Sequence, residues 1–231
     1  MAVMADVSRV EQKYMISLGT ARNLYHKFTQ ILPGDPMNGF DYYNVRSLYF
    51  DSYYNDDYFD KLAGIKDRKK IRLRIYNCTD ETAKLELKQK EGQNQRKRSL
   101  SVNREEVACL VRGQCDFLLE REEKLAQELY YIIRKEVYLP RCIVEYKRRA
   151  FSVPTNNIRI TFDSEIKSTE GNFDLFSETL PLYPVESKNN VILEVKYNHF
   201  LLSYIKDALN MCEVTEESYS KYVKARAYGL R

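Results

Sequence analysis

"KIRLRIYN", residues 70–77, sets Lys70, Arg72 and Arg74 in alternation with Ile71, Leu73 and Ile75. Successive side chains of a β-strand leave on opposite faces, so the cations share one face and the aliphatics the other. Alone, such a strand reads as an edge or surface strand with a solvated face. The pattern recurs, however. "KLELKQK" (84–90) sets Lys84, Glu86, Lys88 and Lys90 against Leu85, Leu87 and Gln89, and "RKRSLSV" (96–102) offers Arg96 and Arg98. "NIRITFD" (157–163) offers Arg159, Thr161 and Asp163 against Ile158, Ile160 and Phe162; "VILEVKYN" (191–198) and "RVEQKYMI" (9–16) add Glu194, Lys196, Glu11 and Lys13.

Strand-like segments fall at 9–16, 43–51, 69–77, 84–91, 95–102, 141–152, 157–165 and 191–198, eight in all. Short polar turns, "KEGQNQ" (90–95) and "PTNN" (154–157), imply antiparallel pairing. Helical patterns interleave. Residues 17–32 carry Leu24, Phe28, Ile31 and Leu32 on one face, begin with Ser17 as a cap and stop at Pro33-Gly34. Residues 103–111 open with Asn103 and Glu106 in capping-box spacing, and 116–137 space Leu118, Leu125, Leu129 and Ile132 for a longer helix. Further helices are expected near 200–211 and 216–228, and a long loop over 171–190. With no repeat, low-complexity tract or linker, residues 1–231 read as a single domain.

The helices need an apolar partner. If the aliphatic strand faces supply it, the charged faces point the other way. The expected fold is therefore α+β: an eight-stranded antiparallel closed β-barrel, a tunnel with a charged lumen and flanking helices. A dry lumen is excluded, because each unpaired ion costs several kcal/mol to bury, and about ten of them exceed the stability of any domain. The lumen must hold water and a polyanion. Mid-strand Arg72, Arg74, Lys88, Arg96 and Arg98 suit phosphate oxygens, the guanidinium forks above all. Glu11, Glu86, Asp163 and Glu194 on the same faces either neutralise neighbouring cations or hold a hard divalent metal that bridges protein and phosphate.

Composition narrows the classes further. The 231 residues are 44% hydrophobic with a net charge of only +4, so electrostatics rest on clustering. No run of eighteen apolar residues and no signal-peptide pattern is present, which reads as a soluble cytoplasmic chain. Five scattered cysteines without C-x-x-C spacing read as free thiols, and two histidines leave little material for His-based metal sites or Ser-His nucleophiles. Nucleic acid is not expected, because Tyr42, Tyr43, Tyr49, Tyr53, Tyr54 and Tyr58 cluster near the second strand and its following helix, where packing is the expected role.

The chain resembles the polyphosphate polymerase domain of the VTC (vacuolar transporter chaperone) family, within the triphosphate tunnel metalloenzyme superfamily. The resemblance rests on the collinear set "EQKY" (11–14), "RSLYFD" (46–51), "DKLAG" (60–64), "RKKIRLRIY" (68–76), "LELKQK" (85–90), "YKRRAF" (146–151), "RITFD" (159–163), "LEVKYN" (193–198) and "SYSKYVKAR" (218–226). It implies transfer of the ATP γ-phosphoryl group onto a growing inorganic polyphosphate chain, with Mn²⁺ or Mg²⁺. It further implies Lys13, Arg72, Arg74, Lys88, Arg96, Arg148 and Arg159 as phosphate ligands, joined on the charged faces by Arg98 and Lys196. Glu194 is implied as principal metal ligand, with Glu86, Glu11 and Asp163 as further candidates, and Ser220 and Lys221 as contacts to nucleotide or chain. The catalytic cations are then Arg72, Arg74, Lys88, Arg148 and Lys221.

Two departures bear on this. The triphosphatase and cyclase branch begins E-x-E-x-K, whereas this chain has Arg9, Glu11 and Lys13. In "EYKRRAF" both faces are charged, so Lys147 or Arg149 is the inward residue if the register differs from the one that selects Arg148. The chain resembles the free-standing prokaryotic form, expected in the cytoplasm or at the inner face of the membrane with an integral-membrane partner for export. The competing readings are a triphosphatase of the same superfamily and a non-catalytic polyphosphate-binding module.

Overall fold

The computed structural model describes residues 9–39, 41–92, 94–212, 215–227 and 229. In chain order the elements are β1 (Arg9–Ser17), α1 (Leu18–Ile31), β2 (Tyr43–Asp51), α2 (Asp56–Leu62), β3 (Arg68–Ile75), β4 (Thr82–Glu91), β5 (Asn94–Asn103) and α3 (Arg104–Val111). There follow α4 (Lys124–Lys135), β6 (Leu139–Val153), β7 (Ile158–Thr169), β8 (Tyr183–Pro184), β9 (Asn190–Asn198), α5 (Ser203–Asn210), β10 (Thr215–Glu216) and α6 (Lys221–Arg226). The chain divides into two compact units, one formed by residues up to Asn44 with Tyr146–Ile166 and Glu186–Tyr219, the other by Val45–Glu145, Lys167–Val185 and Ser220 onward.

In the first unit β10, β1, β9, β7 and the second half of β6 lie side by side. Val191, Leu193 and Val195 of β9 and Ile158, Ile160 and Phe162 of β7 form its apolar face, on which α1 and α5 rest through Leu24, Phe28, Ile205 and Leu209. Ser17 caps α1 as its sequence predicts, its hydroxyl accepting from the Thr20 N–H at 3.0 Å. Ile31, expected on the buried face, is exposed, and Leu32 takes that place because the helix ends between them.

In the second unit the order is the first half of β6, then β2, β3, β4 and β5. Ile71, Leu73 and Ile75 are buried with Leu85, Leu87 and Leu100, covered by Val107 and Leu110 of α3 and by Leu129 and Ile133 of α4. Each buried Leu or Ile of this kind stabilises the fold by about 1.5–3 kcal/mol. The Asn103–Glu106 capping box is closed in both directions, at 2.9 and 2.8 Å. The long helix expected over 116–137 is shorter, because Asp116–Leu118 forms a separate 3₁₀ turn before α4 begins at Lys124. Residues 171–190 are largely irregular, as expected, with Leu175 and Leu180 seated in the core. The helix expected over 216–228 is reduced to α6, since Thr215 and Glu216 pair with β1 instead.

The expectation of an eight-stranded closed barrel is overturned. The sheet has ten strands in the linear order β10-β1-β9-β7-β6-β2-β3-β4-β5, with β8 attached to β7, and every pairing whose register is described is antiparallel. Among the described residues the terminal strands β10 and β5 pair only with β1 and β4, so the path is open. Closure requires the two edges to exchange hydrogen bonds in a fixed stagger. Alternation specifies which side chains share a face, and carries no information about whether edges meet. The aromatic expectation is corrected in part: Tyr49 and Tyr58 are buried, but Tyr42, Tyr53 and Tyr54 are exposed.

Candidate functional site

On the second unit's polar face the register builds rows across three strands. Lys70, Lys88 and Lys97 stand abreast on β3, β4 and β5, and the adjacent row is Arg72, Glu86 and Ser99. Like charges directly opposite on a sheet destabilise it, so three lysines abreast cost stability wherever no anion lies among them. Arg72 donates from Nε to Glu86 at 2.6 Å and from its guanidinium to the Tyr49 hydroxyl at 3.2 Å. Buried Arg74 donates to Ser47 Oγ at 3.2 Å. The ammonium of Lys97 lies 2.5 Å from Glu86. Burial works against the ionised Glu86, but the charges of Arg72, Arg74 and Lys97 outweigh it and hold its carboxyl down at about 2.

Lys97 is a member of this face that the sequence reading misses, and Arg96 and Arg98 do not belong to it. Those two pair with Gln89 and Leu87, on the opposite side of the sheet. There Arg98 makes a two-pronged bond to Glu128 of α4, at 2.5 and 2.6 Å. "RKR" carries cations to both faces, so residue type alone cannot choose between them; the one-residue register does.

Lys70 is half-buried between aromatic rings, its ammonium 5.5 Å from the centre of Tyr49 and 5.3 Å from that of Tyr222 on α6. Tyr222 donates to buried Asp51 at 2.5 Å, and Asp51 also accepts the backbone N–H groups of Asp57 and Tyr58 that open α2, at 2.9 and 3.0 Å. Burial nevertheless pushes the Asp51 carboxyl up. The "D" that closes "RSLYFD" is the sequence trace of this anchor. Ser220 caps α6, its hydroxyl accepting from the Val223 N–H at 3.4 Å, and Lys221 opens that helix.

On the first unit's polar face Glu11 and Lys13 of β1 oppose Lys196 and Glu194 of β9, and Glu194 in turn opposes Thr161 of β7. The Lys13 ammonium lies 3.1 Å from Glu11 and 3.8 Å from Glu194, and that of Lys196 lies 3.0 Å from Glu194. Arg148 grips fully buried Asp163 with two bonds, at 2.6 and 2.7 Å, and reaches 3.9 Å from Glu194. Burial disfavours its charge, but Asp163, Tyr146 and Glu194 keep the guanidinium protonated. The register question in "EYKRRAF" is thereby answered. Lys147 turns instead to Glu165 and Arg149 to Asp41. Arg159 pairs with Asp35 at 2.5 Å and with the Tyr43 hydroxyl at 3.0 Å.

A hard divalent ion needs oxygen ligands at 2.0–2.6 Å. Among the described residues no three His, Cys, Asp or Glu side chains are assembled for one. Glu11 and Glu194, drawn together on the Lys13 ammonium, have the right donor chemistry, whereas Asp163 and Glu86 are engaged by guanidinium groups. No helix among the described residues is long and apolar enough to cross a membrane.

A model of the VTC domain family matches residues 8–229. No curated protein sequence matches the chain significantly. Among solved structures, a candidate adenylyl cyclase from Hippeastrum, described as having a dominant triphosphatase activity, superposes with a TM-score of 0.56 over 95% of each chain at 11% identity. A Pyrococcus horikoshii protein (TM-score 0.47, 12% identity, 96% of this chain and 99% of that one) and a candidate adenylate cyclase from Bacillus halodurans (0.47, 10%, 88% of each) are more distant. At these identities the likeness is one of fold, and only the first is close enough to bear on it.

Proposed function

We propose, on the premise that the chain belongs to the VTC domain family within the triphosphate tunnel metalloenzyme superfamily, that it is a metal-dependent polyphosphate polymerase. The reaction transfers the γ-phosphoryl group of ATP to the terminal oxygen of an inorganic polyphosphate chain: one P–O bond to ADP breaks, one P–O–P link forms, and ADP leaves. The observation that carries this reading is the abreast row of Lys70, Lys88 and Lys97 beside Arg72 and Arg74, a cluster of cations on one sheet face of the kind that suits a polyanion. Phosphoryl transfer has a loose transition state that asks for alignment and charge stabilisation rather than a protein nucleophile.

In this reading Arg72, Arg74, Lys88 and Lys221 are the phosphate-orienting residues of the second unit, and Arg148, taken by itself, is that of the first. Lys13, Arg159 and Lys196 are further phosphate contacts on the first unit, and Ser220 is one on the second. Glu11 and Glu194 would hold Mn²⁺ or Mg²⁺, which as a Lewis acid supplies charge neutralisation on the phosphate oxygens. We place the protein at the cytoplasmic side of a membrane, with an integral partner carrying the product. A second reading, triphosphate hydrolysis, is favoured by the activity described for the Hippeastrum structure and disfavoured by Arg9 in place of the first acid of E-x-E-x-K. Incubation with ATP and Mn²⁺, followed by gel and ³¹P NMR, separates them. Long chains with ADP support the polymerase. Orthophosphate alone supports the hydrolase, and tight polyphosphate binding without turnover supports a binding module.

A further inference from the structure

Thr161 lies at the middle of β7 on the first unit's polar face, opposite Glu194 and two residues from both Arg159 and Asp163. It is 2% exposed, and its hydroxyl has no hydrogen-bond partner. Four of the five other buried atoms of this kind among the described residues belong to side chains bonded elsewhere, Asp57 to Tyr138, Arg98 to Glu128, Arg141 to Ser52 and Arg226 to Asn55, and the fifth is the hydroxyl of Tyr219, whose neighbour is Glu186. Thr161 has only one polar atom, and that atom is the unbonded one.

Its charged neighbours engage one another. Both Asp163 oxygens accept from Arg148, and Glu194 faces Lys13, Lys196 and Arg148. A buried unsatisfied hydroxyl is a cost that valine, of the same shape and higher strand preference, would avoid. The surroundings supply the cations Lys13, Arg148, Arg159 and Lys196, interleaved with the carboxylates Glu11, Asp35, Asp163 and Glu194. A phosphate oxygen is a group that can accept from the Thr161 hydroxyl while Lys13, Arg159 and Lys196 meet its charge.

We propose that Thr161 is a substrate-binding residue whose hydroxyl donates a hydrogen bond to a phosphate oxygen of the bound substrate, a bond made only when the substrate is present. This rests on the phosphate-binding reading above. The bond to a phosphate oxygen replaces none within the protein, so the free protein loses nothing when the hydroxyl is removed.

The test uses the full chain, with inorganic tripolyphosphate titrated by calorimetry into wild type, Thr161→Val and Thr161→Ser, and a urea midpoint measured for each free protein. Thr161→Val binds about 2- to 12-fold more weakly, the range expected for one hydrogen bond. Its urea midpoint is equal to or above that of wild type, and Thr161→Ser binds like wild type. Equal affinity of Thr161→Val and wild type overturns the inference and leaves the phosphate-binding reading standing. A lowered urea midpoint for Thr161→Val also overturns it, because the hydroxyl then serves the fold. Absence of tripolyphosphate binding by wild type overturns the underlying reading and this inference with it.

Discussion

Replacing Glu86 with Gln removes one negative charge from the centre of the second unit's cationic face. The carboxyl is 3% exposed, 2.6 Å from Arg72 and 2.5 Å from Lys97. Holding it from its usual 4.5 down to about 2 corresponds to about 3 kcal/mol of stability at neutral pH, at 1.36 kcal/mol per pH unit. Because the folded value is the depressed one, this contribution is complete above pH 4.5 and is lost as pH falls through about 2. Urea unfolding of Glu86→Gln at pH 7 should therefore give a free energy about 3 kcal/mol below wild type, with the gap closing toward pH 2. Ligand affinity should move the other way. Freed of Glu86, Arg72 and Lys97 engage tripolyphosphate more strongly, in chelator as well as in Mn²⁺. Equal stability of the two proteins at pH 7 refutes the ion-pair reasoning. Weaker binding in Mn²⁺ with unchanged binding in chelator refutes the assignment of Glu86 to the cations and returns it to the metal.

Two further predictions concern the same unit. Burial, then the neighbouring charge of Asp51, pushes the Asp57 carboxyl up to about 8. The folded state thus keeps a proton that the unfolded chain releases near 4, and stability should fall by up to about 1.4 kcal/mol per pH unit as pH rises through that window; urea curves of Asp57→Asn between pH 5 and 8 should lack this slope. Lys97→Ala should weaken tripolyphosphate binding severalfold by calorimetry, whereas Arg98→Ala should leave it unchanged and cost no more than about 1 kcal/mol of stability through the lost Glu128 pair.

The two-residue period of "KIRLRIYN" made the faces of β3 and β4 legible, because residue type and side agree at every position from Lys70 to Ile75. It failed at "RKR", where cations occupy both sides and only the pairing of Leu87 with Arg98 and of Lys88 with Lys97 decides which is which. Arg148 was reachable through resemblance alone, since Lys147 and Arg149 are chemically equivalent candidates until Asp163, Glu165 and Asp41 are placed in space. Local cues such as the Asn103–Glu106 box were legible because both partners lie within one helical turn. The open course of the sheet was not, since it depends on what the outer edges of β5 and β10 meet.

The pairing of Glu11 with Lys196 joins the first described strand to one synthesised 185 residues later. At about 5–20 residues per second, a nascent chain carries β1 for roughly 10–40 s before its partner leaves the ribosome. Meanwhile the apolar stripe of α1, Leu24 and Phe28, waits for Phe151, Ile160 and Leu193. Val45–Glu145 supplies β2, β3, β4 and β5 with their covering helices in one uninterrupted stretch, so the second unit has most of its core while the first still lacks its sheet. A message truncated before codon 190 therefore yields a chain whose amino-terminal strand and helix have nothing to dock on, an early target for chaperones and proteases.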